Sequence, residues 1–121
     1  MSISEIWANL YSHNPKIQAF AVSQDGEIVW QTDNWNLVDT VGELFAAYDR
    51  GASEVRIAKV SYTIMSATDE SLVASSKDKK GHFLMTKADK TVWFLAWITH
   101  DSVPELTLVD LKYAATQLAH I

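Results

Sequence analysis

The chain carries four histidines, His13, His82, His100 and His120, and no cysteine. Imidazole and carboxylate groups are therefore what it could bring to metal or acid–base chemistry. No histidine stands at ligand spacing from a second histidine or a carboxylate, as HExxH would require, and a thiolate metal site or disulfide framework is excluded. His13 and His120 fall near the ends of helical patterns, where a histidine is ordinarily a solvated side chain. His100-Asp101 could form half of a catalytic pair, but no Ser or Cys sits in a strained elbow motif beside it. The four glycines build no loop that would cradle a phosphate. The expectation is a binding protein with no catalytic residue, no metal and no cofactor.

Binding chemistry is better represented. Lys77, Lys79, Lys80, Lys87 and Lys90 are five of the ten basic residues, within fourteen positions. Such a cluster is either a solvated turn or a patch for an acidic partner protein or anionic lipid head groups. The overall net charge of −5 argues against bulk nucleic-acid binding through phosphates. Trp30 and Trp35 bracket the polar stretch QTDN and read as exposed aromatics. Trp7 and Tyr11 lie one helical turn apart, and ordinary core packing is the plainer reading of Trp7.

The elements that position these residues follow from periodicity. At 121 residues the chain is one domain, 1–121, and at 48% hydrophobic with five Trp it can bury a core. No apolar run reaches the ~18 residues of a membrane span, and the N-terminus shows no basic region followed by an apolar run, so the expected location is the cytoplasm. Ser2 and Glu5 form a capping box ahead of Ile3, Ile6, Trp7, Leu10 and Tyr11 at helical spacing. Ile17 to Val22 and Ile28 to Thr32 form a hairpin about Asp25-Gly26. Leu37, Val41, Leu44, Phe45 and Tyr48 share a helical face, with Asn34 to Asn36 as candidate cap and Gly51 as stop. Val55 to Val60, Tyr62 to Met65 and Ser71 to Ala74 read as strands. The run from Lys80 to Ile98 is a hairpin turning at Lys87-Ala88-Asp89-Lys90. Its second arm, Thr91 to Ile98, is apolar at nearly every position and so is expected to be covered on both faces. Ser102-Val103-Pro104-Glu105 reads as a second capping box, opening a helix from Val103 to about Ala119. Helices on the faces of a hairpin-rich antiparallel sheet make the class α+β.

Taken together, these segments resemble the profilin family. Thr86 to Thr91 followed by an apolar strand is similar to the family's TKTDKT-type hairpin. Ala19 to Gly26 is similar to its first strand and turn, Ser61 to Met65 to its middle strand, Lys77 to Gly81 to its basic turn, and Val103 to Leu118 to its last helix. The match covers nearly the whole chain in order. It implies an antiparallel sheet of about six to seven strands, with the N- and C-terminal helices on one face and a further helix on the other. It implies a monomer that binds the actin monomer and regulates filament assembly, located with the cytoskeleton. The binding face carried over by position comprises Thr63, Ser75, Lys77, Lys80, Ser102, Val103, Glu105, Leu108, Lys112 and Tyr113. Anionic phosphoinositide lipids are the further ligand class that the resemblance implies.

The sequence departs from the family pattern at several points. Where the family carries a Gly-Gly before the middle strand, this chain has Ile57-Ala58-Lys59-Val60. The second-strand Trp falls at Val29, with Trp30 one place later. Two family Arg positions appear as Ser66 and Ser75. The first-helix Trp and Tyr that grip proline-rich peptides correspond to Ile3 and Ile6, and no C-terminal Tyr follows Leu118. Trp7, Tyr11 and Leu118 are then the remaining candidates for that contact, and proline-peptide binding is expected to be weak or absent. The rival architecture is a roadblock-type dimeric scaffold for small GTPases, which would place three long strands rather than about five short runs between the second and third helices. A small ligand-binding sensor domain is a third reading, which bulky Trp93, Phe94 and Trp97 speak against.

Overall fold

The computed structural model describes residues 2–117. In chain order the elements are α1 (Ile3–His13), β1 (Ile17–Gln24), β2 (Glu27–Gln31), α2 (Val41–Asp49), β3 (Glu54–Ile57), β4 (Val60–Ala67), β5 (Ser71–Ser76), β6 (His82–Lys87), β7 (Val92–Ile98) and α3 (Pro104–Thr116). The strands make one seven-stranded sheet in the order β2-β1-β7-β6-β5-β4-β3. Every neighbouring pair is antiparallel.

Strand β7 lies between β1 and β6 and is buried along almost its whole length. Trp93 and Leu95 face the α2 side, with Ala19, Ala21, Phe83 and Met85. Phe94, Ala96 and Ile98 face the other side, with Phe20, Val22 and Leu84, under Ile6 and Leu10 of α1 and Leu111 of α3. With a packed layer on each side, no position of the strand is left for a polar residue, which is why the run is apolar throughout. The two terminal helices share one face and α2 holds the other, the α+β arrangement expected from the sequence.

Local chemistry explains most of the boundaries. At α1 the Glu5 N–H donates to Ser2 Oγ at 3.2 Å and the Ser2 N–H donates to Glu5 Oε1 at 3.2 Å, a complete capping box. The β1–β2 turn places Asp25 at φ 53° and Gly26 at φ 81°, the left-handed pair that a two-residue hairpin demands. The β3–β4 turn repeats this geometry without glycine: Ala58 has φ 50° and Lys59 φ 70°. The segment from Val55 to Val60 is therefore not one strand; it turns at Ala58-Lys59, and Val60 begins β4.

Three further local expectations are corrected. Helix α2 starts at Val41, not at Asn34–Asn36; Thr40 is its N-cap without a side-chain bond, and the Leu37 carbonyl accepts from the Thr40 and Val41 N–H groups instead. Trp35 is 8% exposed and packs near Phe83, so it is a core residue rather than a surface aromatic. Helix α3 starts one residue later than a cap at Ser102 would require. Val103 is the N-cap with no side-chain bond, and the Ser102 hydroxyl lies 2.8 Å from Thr99 Oγ1, so the second capping box does not form. Leu118, Ala119 and His120 lie outside the described residues.

Candidate functional site

On the side of the sheet that carries α1 and α3, α3 packs over β5, β6 and β7 and α1 over β1. Strands β3 and β4 extend beyond the helices, and β4 is half-buried to exposed over most of its length. The register there aligns one row of residues across four strands: Glu54 opposite Thr63, Thr63 opposite Ser75, and Ser75 opposite His82. The sequence-derived Thr63 and Ser75 are thus cross-strand neighbours. His82, which the sequence offered only as a possible ligand or base, completes the row.

His82 joins this row to the segment before α3. Its Nδ1 lies 2.7 Å from Ser75 Oγ and its Nε2 lies 3.0 Å from the His100 carbonyl oxygen. A carbonyl only accepts, so Nε2 bears the proton, and in the neutral ring Nδ1 accepts from the Ser75 hydroxyl. The His100 ring lies parallel to that of His82, with centroids 6.0 Å apart and 11° between planes. Ser75 and His82 are in the relation of a nucleophile and its base. The third group is a neutral carbonyl, however, which would not stabilise an imidazolium as a carboxylate does. The arrangement suits recognition rather than acyl transfer.

The segment beyond His100 is itself pinned. The Thr99 hydroxyl donates to Asp101 Oδ1 at 2.6 Å, and Lys16 Nζ lies 3.2 Å from Asp101 Oδ2. The Thr99 hydrogen bond, then Lys16, hold the Asp101 carboxyl below the usual carboxylate range. Ser102 is buried against Thr99, whereas Val103 is 52% exposed at the foot of α3. Leu108 is half-buried and Glu105 and Lys112 are exposed. Tyr113 stands apart from them: it lines the opposite flank of α3, facing α1.

The lysine turn between β5 and β6 is rigidly held. Lys77 Nζ lies 3.2 Å from Glu54 Oε1, an exposed pair, so this charge is shared with the edge strand. The Lys80 carbonyl accepts from the Trp97 indole N–H at 2.8 Å. Gly81, at φ 107°, has no room for a side chain: a Cβ would stand 2.3 Å from the Ile98 carbonyl oxygen and 2.6 Å from Trp97 Nε1.

Between α1 and α3 runs a groove of about 610 Å³ lined by Ile6, Leu10, His13, Val109, Asp110 and Tyr113, among others. Asp110 closes one end of it, accepting from Asn14 Nδ2 at 3.0 Å and lying 3.4 Å from His13 Nε2. Trp7 and Tyr11 are on the other flank of α1. Trp7 is half-buried and lies nearly flat on Phe20, with centroids 5.7 Å apart and 7° between planes. Tyr11 tilts against Trp7 and is 46% exposed, and Trp30 approaches Phe20 from β2. The helix therefore seats itself on Ile6 and Leu10, with Trp7 packed against the same core and Tyr11 at its exposed margin. Trp30 pairs with Val22 and so faces the α1 side, whereas Val29 is 52% exposed. His82 was legible in principle, since alternation along β6 puts it on the same side as Leu84. The carbonyl partner from the α3 approach was not.

No protein-family model matches the chain. A curated relative, Thor profilin of Thorarchaeota archaeon (strain AB_25), is 37% identical over 105 residues, covering 84% of this chain and 82% of the relative. Among solved structures, a chain of the LokiProfilin2/Rabbit Actin Complex superposes with a TM-score of 0.91 at 23% identity, covering 100% of this chain and 99% of that one. The Roadblock/LC7 domain from Streptomyces avermitillis is more distant in shape, with a TM-score of 0.63 at 8% identity over 97% of this chain and 98% of that one.

Proposed function

The chain belongs to the profilin family, and on that premise we propose that it binds actin monomers and regulates filament assembly, acting as a binding protein rather than an enzyme. The observation that carries this reading is the uncovered face where the Thr63–Ser75–His82 row meets the foot of α3. Apolar Val103 and half-buried Leu108 form its centre. Ser75 and Glu105 supply polar contacts, Thr63 stands beside Ser75 in the row with its Oγ1 buried, and Lys77, Lys80 and Lys112 supply steering charge toward an acidic partner, which acts more on association rate than on affinity. The resolved relative seen with rabbit actin supports the choice of partner. A roadblock-type scaffold fits less well, because five strands, β3 to β7, separate α2 from α3.

Anionic lipid head groups are a second ligand class, for the cluster Lys77, Lys79, Lys80, Lys87 and Lys90. The protein acts as a monomer in the cytoplasm, in association with the cytoskeleton. Among the described residues no helix is long and apolar enough to cross a membrane. Gel filtration with and without actin monomers tests the reading. A one-to-one complex supports it; separate elution of both proteins at micromolar concentration refutes it, and a dimer of the protein alone would favour the roadblock-type reading.

A further inference from the structure

We infer that the outer ridge of α3, with the groove beside it, docks a short basic amphipathic helix of a partner protein. This goes beyond the actin-binding reading and does not rest on it. Val109 and Tyr113 lie on the α1 flank of α3, whereas Lys112 lies on the opposite flank beside Thr86 and Glu70.

Leu106, Val109 and Tyr113 are 68%, 61% and 69% exposed. At spacings of three and four they form one ridge along α3, about 10 Å long at 1.5 Å per residue. Val109 and Tyr113 also form one wall of the α1–α3 groove, in which they meet Ile6, Leu10 and Ala114. Packing of α3 on the sheet does not require this ridge, because the helix is seated through Leu111, Ala114 and Ala115, with Leu108 beside them. Single exposed apolar residues are ordinary, but three in line against an apolar groove mark a contact surface.

The walls select the form of the ligand. Both are helices, whose backbone N–H and C=O groups are spent internally and offer no ladder to an extended peptide. A chain laid on this surface must satisfy its own backbone, as an α-helix does. A proline helix needs flat rings exposed together, and the groove offers Tyr113 and a His13 that is turned to Asp110. A helix with apolar residues at i, i+3 or i+4 and i+7 sets its own ridge beside that of Leu106, Val109 and Tyr113 and into the groove.

Charge selects the sequence of that helix. Helix α1 has no Lys or Arg, and its carboxylate is Glu5. The Ser2 backbone N–H, then the Ser2 hydroxyl, hold the Glu5 carboxyl below its usual range. On α3, Glu105 and Asp110 are acidic. Lys16, just beyond α1, is tied to Asp101. The surface around the ridge is therefore acidic, in a chain of net charge −5. It complements a basic partner, opposes an anionic membrane surface, and sets like charges together if two copies meet on it.

The test uses the whole chain and a synthetic peptide of about 14 residues, about four helical turns, with leucine on one face and lysine on the other. NMR resonances of the protein are followed as the peptide is added. Saturable binding is expected, with shifts centred on Leu10, Leu106, Val109 and Tyr113. Leu106→Ser with Val109→Ser removes two exposed apolar groups, so the melting temperature should hold while affinity falls about tenfold or more. If that variant folds poorly, the wild-type shift map decides alone. A peptide of the same composition with its leucines scattered round the helix, and one with glutamate for lysine, should each bind about tenfold more weakly. Shifts centred elsewhere, equal binding of the scattered peptide, or unchanged affinity of the folded variant overturns the proposal. So does tighter binding of a ten-proline peptide at the same residues, which would make the groove a proline-helix site. Concentration dependence of the ridge resonances without peptide also overturns it, in favour of a contact between two copies. Actin affinity of the variant is measured alongside and should be unchanged; a tenfold loss would assign the ridge to the actin face and overturn a separate site. If wild type itself binds no actin, the functional reading falls, and the peptide titration still decides this one.

Discussion

The indole of Trp97 donates its N–H to the carbonyl of Lys80 at 2.8 Å, and the same ring closes the space beside Gly81. Trp97 faces the α2 side of the sheet, yet it fixes the turn that carries Lys77, Lys79 and Lys80. It is half-buried rather than enclosed. Trp97→Phe should retain most of the packing and lose the hydrogen bond, lowering stability by about 1 kcal/mol. Gly81→Ala should be worse, because the new Cβ would stand 2.3 Å from a backbone oxygen at a φ of 107°. Urea unfolding of both variants checks the order; an alanine variant as stable as wild type would show that the turn yields freely.

The β3–β4 turn should be improvable. Ala58 and Lys59 occupy left-handed backbone at φ 50° and 70°, a conformation that costs an L-residue roughly 1–2 kcal/mol and glycine almost nothing. Ala58→Asn with Lys59→Gly should therefore raise stability by about 1–2 kcal/mol. Thermal unfolding is the check, and a lowered midpoint would contradict the turn geometry.

Stability at high pH should depend on Tyr62. Burial beside Phe83 pushes its phenol up to about 12 from the usual 10.0 of a tyrosine. The folded state thus holds the proton more tightly than the unfolded chain. The contribution is fully present below about pH 10 and is lost as pH rises toward 12. Tyr48, also raised by burial and then by Asp69 and Asp49, acts in the same direction. Denaturant midpoints between pH 9 and 11 should fall for wild type and fall less steeply for Tyr62→Phe. Parallel curves would contradict the burial of the phenol.

Proline-rich peptides should bind weakly. The α1–α3 groove is lined by Ile6, Leu10 and Val109, with Tyr113 and His13 as its rings, and one face of Trp7 is already covered by Phe20. Flat aromatic faces exposed together, which a polyproline helix requires, are not assembled in that groove. Fluorescence titration with a ten-proline peptide should give affinity no better than about millimolar, near 4 kcal/mol of binding free energy. Micromolar binding abolished by Trp7→Ala would place the site instead on the flank formed by Trp7, Tyr11 and Trp30.

Much of the fold was legible because each element announces itself locally. The Ser2–Glu5 box, the Asp25-Gly26 turn and the apolar Val92–Ile98 strand depend on neighbours in sequence. The errors have two causes: tertiary partners that overrode local chemistry, and a turn without its usual residue. Ser102 resembles a cap but is taken by Thr99. Ala58-Lys59 lacks the glycine that would mark a turn, so Val55 to Val60 reads as one strand. Trp35 sits in a polar stretch yet is buried by residues far along the chain. The site divides likewise. Thr63 and Ser75 could be placed by family position, and Lys77 too, but not its tie to Glu54. The link from Ser75 through His82 to the His100 carbonyl joins β5, β6 and the approach to α3, and no periodicity in one strand reveals it.

The most direct test of the account replaces one side chain at the centre of the face. Val103 is 52% exposed and is the N-cap of α3 without a side-chain bond. Val103→Asp puts a carboxylate where a helix start favours one, so stability should be unchanged or raised by up to about 1 kcal/mol. The same carboxylate would be buried against an acidic partner, and affinity for actin monomers should fall about tenfold or more. The measurement is the dissociation constant for actin monomers of wild type and Val103→Asp, with their melting temperatures alongside. Tight binding by wild type, lost in an equally stable variant, is the expected result. Equal affinity of the two proteins would contradict the placement of the face, and no binding by either would contradict the function.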